Sequence, residues 1–376
     1  LSSVVAGLLF FGSCWLTSWS VISRIDTFGL MLSLAGLAVI TGDAARRRSA
    51  AVMAAAGLFS LALFTRQSLI AAPLACILTG IFSTKKEGGP TGWHKATFLG
   101  TMLLFPLSVF AGLMLMSHGE FYRHTVIYTM GEFDFGNFFR WMREFLEMHG
   151  VIVFLSLAYV GYCWRRKRYR LAVNFWGLAL AVSLTAGKEG SSINYFLEFW
   201  AANCLMIGLM LSDLARAPLA GWKKMVGPVV VGVLLIQIMV LHYRTDFNPV
   251  RDKYHDASQR LSDYIRLAPG DVLSEYTGYL IRNNKTPIYQ PFSMTQLAER
   301  GLWDEDVIIQ DIHRQRFSLI VMTNVGMAYN RWSARVQAAV QEKYDMVDTL
   351  PCYELSYYHS AVNVHVVYKP KETRLP

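Results

Sequence analysis

Apolar runs dominate the chain and are separated by short polar connections. Nine stand out, at residues 3–15, 27–41, 50–64, 69–82, 97–117, 151–164, 171–186, 199–211 and 226–243. A helix needs ~20 apolar residues to cross the hydrocarbon core of a bilayer. Inside lipid every backbone polar group must be paired, which leaves a helical bundle as the economical solution. The runs at 50–64 and 69–82 are short at ~1.5 Å rise per residue, so they need their polar ends or a thin membrane region to complete a crossing. Of the 376 residues, 53% are hydrophobic and 17% charged, below the roughly 25% charged residues of a soluble domain. The expected fold class is a mainly α membrane protein. A polytopic bundle of about nine spans occupies residues 1–243, with an outer loop at 118–149. A small C-terminal α/β domain occupies 244–376. The chain starts at Leu1 in apolar sequence without an initiator Met, so a further N-terminal portion is expected.

The net charge of +9 could suggest nucleic acid. The basic residues instead cluster in short connections between apolar runs, where membrane orientation explains them. One side collects fourteen: Arg46, Arg47, Arg48, Lys85, Lys86, Lys95, Arg165, Arg166, Lys167, Arg168, Arg170, Arg216, Lys223 and Lys224. The other carries six: Arg24, Arg66, Arg123, Arg140, Arg143 and Lys188. The first side is therefore expected in the cytoplasm. The C-terminal domain is then extracytoplasmic. The five cysteines show no metal-ligand spacing, which argues against a zinc site or a disulfide framework.

From Arg244 onward the composition turns soluble. Alternation predicts helices over 249–267, 276–283, 294–300, 304–314 and 332–344. It predicts strands over 272–275, 287–289, 317–322, 346–350 and 361–368. That is a small α/β unit, and it contains no Gly-rich phosphate loop or nucleotide fingerprint.

The unusual chemistry gathers on the outer face. Residues 187–199 hold Lys188, Glu189, Asn194, Tyr195 and Glu198 between two apolar runs, after a start that glycines and serines make poorly helical. Lys188 reads either as a snorkelling lysine or as an anion contact. Arg24 and Asp26 flank Ile25 ahead of a span. An i,i+2 pair does not share a helix face, so they are not simply partners, and Asp26 also suits a helix start. Arg66 and Gln67 occupy a tight turn, where a guanidinium either snorkels or forks onto phosphate oxygens. His118, His124 and His149 match no metal-ligand spacing. Glu132 and Asp134 read as solvated loop acids. Taken together, the outer-face residues point to an extracytoplasmic anion site.

Three runs carry a resemblance: Arg24-Ile25-Asp26, residues 65–73 beginning Thr65-Arg66-Gln67-Ser68, and residues 187–198 from Gly187-Lys188-Glu189 to Glu198. Their order resembles bacterial multispanning glycosyltransferases of the C-type fold, relatives of the protein O-mannosyltransferases and the lipid A aminoarabinose transferase. The resemblance covers the nine runs and, more loosely, the tail. It implies a polyprenyl-phosphate-linked sugar donor and a glycan, lipid or protein acceptor. It also implies transfer on the outer face of the bacterial inner (plasma) membrane, with a divalent cation in some relatives and none in others. The family's catalytic aspartate lies in a first outer loop that this chain does not show before Ser3, so that residue maps onto none here and Asp26 is at most a supporting acid. A carboxylate would orient or deprotonate the acceptor hydroxyl, and cations would stabilise the departing lipid phosphate. Arg66 and Lys188 would then be phosphate contacts. Arg24, Gln67, Glu189, Asn194, Tyr195 and Glu198 would complete substrate binding. The competing classes are a transporter or flippase of an anionic lipid or sugar, and a non-catalytic membrane subunit with an outer binding domain. Largely apolar span centres weigh against transport.

Overall fold

The computed structural model of the chain describes residues 2–13, 15, 16, 20, 25–42, 48–82, 92–217, 225–243, 252–323, 331–352 and 363–372. The chain forms two compact units, Leu1–Thr245 and Asp246–Pro376.

The first unit is helical. Its helices are α1 (Ser2–Gly12), α2 (Ile25–Thr41), α3 (Ser49–Thr65), α4 (Ala71–Phe82), α5 (Gly92–Met116), α6 (Phe135–Arg166), α7 (Arg170–Ser183), α8 (Leu197–Arg216) and α9 (Val226–Tyr243). Among the described residues, four helical stretches are long and apolar enough to cross a membrane: His94–Met116, Phe135–Arg166, Arg170–Gly187 and Ile193–Arg216. The apolar helices α1 to α4 have only 11–17 residues, which rise about 16–26 Å against a core of about 30 Å. Helix length therefore carries four crossings rather than the nine expected. The outer loop expected at 118–149 is also corrected. Its second half is the start of α6, a 32-residue helix capped by Asp134, which accepts from the backbone N–H groups of Gly136 and Asn137. Asp134 is thus a helix cap, worth about 1 kcal/mol.

Small residues let the helices approach closely. A Cβ on Gly29 would lie 2.6 Å from Leu69 Cδ1, and one on Gly36 would lie 2.6 Å from the Phe59 ring. Polar side chains inside the bundle pair with one another. Asn203 accepts from Ser156 and, at 3.0 Å, from Trp176 Nε1, and it donates to Phe199 O at 2.7 Å. His149 is fully buried, bonds Ser13 Oγ at 3.0 Å and lies among the rings of Trp15, Phe145 and Trp200. These contacts join helices, as polar residues commonly do within lipid.

The second unit contains α10 (Asp252–Leu267), β1 (Asp271–Ser274), α11 (Thr277–Arg282), α12 (Pro291–Glu299), α13 (Asp306–His313), β2 (Phe317–Thr323), α14 (Ala334–Lys343), β3 (Tyr344–Cys352) and β4 (Asn363–Pro370). The sheet order is β1-β2-β4-β3. β1 and β2 are parallel, while β4 is antiparallel to both β2 and β3. Ile320 and Met322 pack against one helical layer and Leu319 and Val321 against the other, as the period-2 alternation of a strand dictates, while Phe317 joins the first layer from beyond the irregularity in the β1–β2 pairing at Ser318. No strand forms at the expected 287–289. Tyr289 there stacks on Trp332 at 5.4 Å, and its chain leads into Pro291 at the start of α12.

Candidate functional site

Three separated segments bring polar side chains to one buried cluster. Asp26 lies in the first turn of α2. Arg66 ends α3 with an extended backbone, its N–H on Ala62 O at 2.8 Å, and Leu69 N–H returns to Arg66 O at 3.1 Å. This tight turn opens α4, whose third residue, Pro73, has a fixed φ suited to a first helical turn. Asn194 and Tyr195 lie in a short 3-10 turn, Ile193–Phe196, that leads into α8, and Glu198 sits in the first turn of that helix.

The side chains interlock. Arg66 Nη1 is ion-paired with Asp26 Oδ1, which also accepts from Asn194 Nδ2 at 2.8 Å. Arg66 Nε donates to Ser68 Oγ at 2.8 Å, and its guanidinium lies 4.3 Å from the centroid of the Tyr195 ring. Glu198, in the first turn of α8, accepts at Oε1 from Ser33 Oγ at 3.4 Å, while its buried Oε2 has no hydrogen-bond partner among the described residues. A carboxylate at a helix N-terminus is favourably placed. Asp26, Asn194 and Glu198 are 4%, 8% and 3% exposed. Asp26, Arg66, Ser68, Asn194, Tyr195 and Glu198 enclose a cavity of about 10 Å³, enough for about one water molecule.

Two carboxyl groups and one guanidinium do not make an anion site as they stand, because Arg66 is neutralised by Asp26. An incoming phosphate must take Asp26's place on the guanidinium. Uncoupling a buried pair leaves an uncompensated charge, at a cost of about 3–5 kcal/mol. Any ligand must therefore bring its own negative charge and open the cavity.

Compared with protein-family models, with curated proteins and with solved structures, the chain has no significant match in any of the three.

The other expected site residues lie elsewhere. Lys188, Glu189 and Gln67 do not line the cavity. Lys188 bridges Phe133 through the backbone, Glu189 N–H donates to Glu132 O at 2.7 Å, and Asp134 N–H donates to Gly187 O at 2.9 Å. Asn137 Nδ2 ties the same loop through Ala186 O and Lys188 O, each at 3.2 Å. Gln67 Nε2 donates to Thr125 O at 3.0 Å. These three residues thus belong to the stitching of 125–137 onto the bundle. Arg66 lines the cavity and Lys188 does not, its backbone bridging Phe133 in another turn. Arg24 lies outside the described residues. Among the described residues no three His, Cys, Asp or Glu side chains gather as metal ligands.

Sequence reasoning missed Ser33 and Ser68. Ser33 is seven residues after Asp26, two turns along the same helix face, which is a usable signal. It also missed a cluster around Asp213, which accepts from Tyr159 OH at 2.7 Å and Tyr169 OH at 2.8 Å and pairs with Arg168 at 3.0 Å. Arg168, counted among the fourteen basic residues of the side expected in the cytoplasm, thereby helps fix the turn between α6 and α7 to the end of α8.

Proposed function

We propose that the protein is a membrane glycosyltransferase that moves a sugar from a polyprenyl-phosphate donor to an acceptor on the outer face of the plasma membrane. The observation that carries this reading is the meeting of Asp26, Arg66, Asn194 and Glu198, from three distant segments, in one buried cluster within an apolar bundle. Buried ionisable groups in such surroundings are expensive and mark function by default. In the proposed reaction Arg66 exchanges Asp26 for the lipid phosphate and stabilises the charge that develops on it as the glycosidic bond breaks. Asp26, released from the ion pair, becomes free to orient the acceptor hydroxyl in a supporting role. Asn194, Tyr195 and Glu198 shape the sugar end. In the same reading the short apolar helices complete about nine crossings with their polar ends, the basic connections lie in the cytoplasm, and residues 244–376 lie outside.

The test is transfer of a labelled sugar from a polyprenyl-phosphate donor by the purified protein in lipid. We expect turnover that drops at least tenfold in Arg66→Lys and Glu198→Gln, with melting temperatures near that of the parent. A folded protein that neither transfers a sugar nor binds polyprenyl phosphate would defeat the reading. A second reading, a non-catalytic membrane subunit, is favoured by the closed cavity and by the pairing of Arg66 with Asp26. It predicts that the same substitutions change stability alone.

A further inference from the structure

A cavity of about 690 Å³ lies wholly within the second unit, at the end of α10 and the beginning of β2. Its size falls within the ~300–1,000 Å³ of small-molecule sites. Tyr264, Leu267 and Pro370 provide much of its apolar wall. Leu267 is 71% exposed there, at the end of a helix whose other face is packed in the core.

The charges around the cavity are unequally satisfied. Arg260 is held by Asp348 at 2.6 Å, and Asp263 by Arg266 at 2.7 Å. Among the described residues Lys369 has no carboxylate within ion-pair distance, and its Nζ lies 5.7 Å from the Tyr264 ring centroid. The C-terminus of α10 would ordinarily repel an anion. Here Lys285 Nζ covers it, donating to Ala268 O at 2.6 Å and Gly270 O at 3.1 Å. The cavity therefore combines an available ammonium with flat apolar walls, and its acid is already neutralised.

We infer that this cavity binds an anionic saccharide, its carboxylate or phosphate on Lys369 and the apolar C–H face of its ring against Tyr264, Leu267 and Pro370. Tyrosine and proline rings offer flat surfaces for such a face, and aromatic rings commonly combine an apolar body with a polar tip. A charge-assisted contact from Lys369 would select the acidic sugar over a neutral one. This site is separate from the Asp26–Arg66 cluster and does not depend on the activity proposed above.

The test uses the full chain in lipid nanodiscs and saturation-transfer NMR with three probes: D-glucuronate, D-glucose 1-phosphate and D-glucose. At least one anion should bind saturably and at least tenfold more tightly than glucose. The two anions distinguish a carboxylate from a phosphate source. Lys369→Gln should weaken anion binding at least fivefold. Leu267→Glu, at an exposed position with little effect on folding, should do the same by filling the cavity mouth with negative charge. Equal binding of all three sugars, or anion binding unchanged in a folded Leu267→Glu protein, would overturn the inference.

Discussion

Arg66 is the residue on which the membrane unit's chemistry turns. Its removal leaves Asp26 buried without its cation, so Arg66→Ala should destabilise the protein by about 3–5 kcal/mol. Asp26→Asn keeps the volume and a polar partner for Asn194, and should cost less. Thermal unfolding in one detergent, compared as a double-mutant cycle, checks this: a coupling below about 0.5 kcal/mol would mean the pair contributes no more than two independent side chains. His365 makes a second residue-level prediction. It is 3% exposed, contacts Thr323 Oγ1 at 3.3 Å and packs edge-on against Tyr276. Burial lowers its pKa to about 4 from the usual 6.5. The folded form refuses a proton that the unfolded chain accepts, so this contribution to stability is whole above about pH 6.5. It falls by up to about 3 kcal/mol as the pH drops towards 4. Hydrogen exchange at Val321 and Val367, paired across β2 and β4, should accelerate over that window, and His365→Gln should flatten the dependence.

At the scale of elements, the turn at 186–191 depends on glycine. A Cβ on Gly187 would meet the Phe133 ring at 2.6 Å and Asp134 O at 2.9 Å. Phe133 is half exposed and can give way, but the backbone oxygen is held by α6 and cannot. Gly187→Ala should cost about 1–3 kcal/mol, as overpacking does, read as a lower melting temperature with the helix content kept. An unchanged melting temperature would show that the two turns are only loosely joined. The stitching also explains what could be read from the chain. Asp26, Arg66, Asn194 and Glu198 were legible because a polar side chain beside an apolar run has few places to go. Lys188 was not, because a lysine in a Gly-rich turn can face several ways and the bridge to Phe133 decides. The start of α6 was hidden because Arg140, Arg143 and Glu147 gave it a polar aspect, although Phe138, Phe145, Met148 and Ile152 already marked its buried face. Helix length alone supports only the four long crossings among the described residues, because an apolar helix of 11–17 residues records what can be buried but is shorter than the bilayer core.

For the whole molecule, the open quantity is how the chain threads the membrane. The prediction rests on charge: fourteen basic residues on one set of connections and six on the other. Cationic connections are retained in the cytoplasm, and the bias is counted over short loops, which these are. The four long helices alone fix little, because an even number of crossings returns the chain to its starting side and each shorter helix that also crosses reverses it. The position of residues 244–376 is thus decided by how many of α1 to α4 and α9 also cross, all five giving nine crossings and placing the second unit opposite the first residue. In a closed bundle α2 and α3 can do so with their polar ends, since Asp26 and Arg66 meet at one end and Arg48 begins α3 at the other. We therefore expect position 88, beside Lys85 and Lys86, to lie in the cytoplasm and the second unit outside. A cysteine replacing Gly88, in a chain whose own cysteines are replaced by serine, should resist an impermeant thiol reagent added to intact cells and react once the cells are opened. External protease should reach the second unit in intact cells. Labelling of position 88 from outside, or protection of the second unit, would invert the topology. It would also put the Asp26–Arg66 cluster on the cytoplasmic side, where an outer-face transfer reaction could not use it.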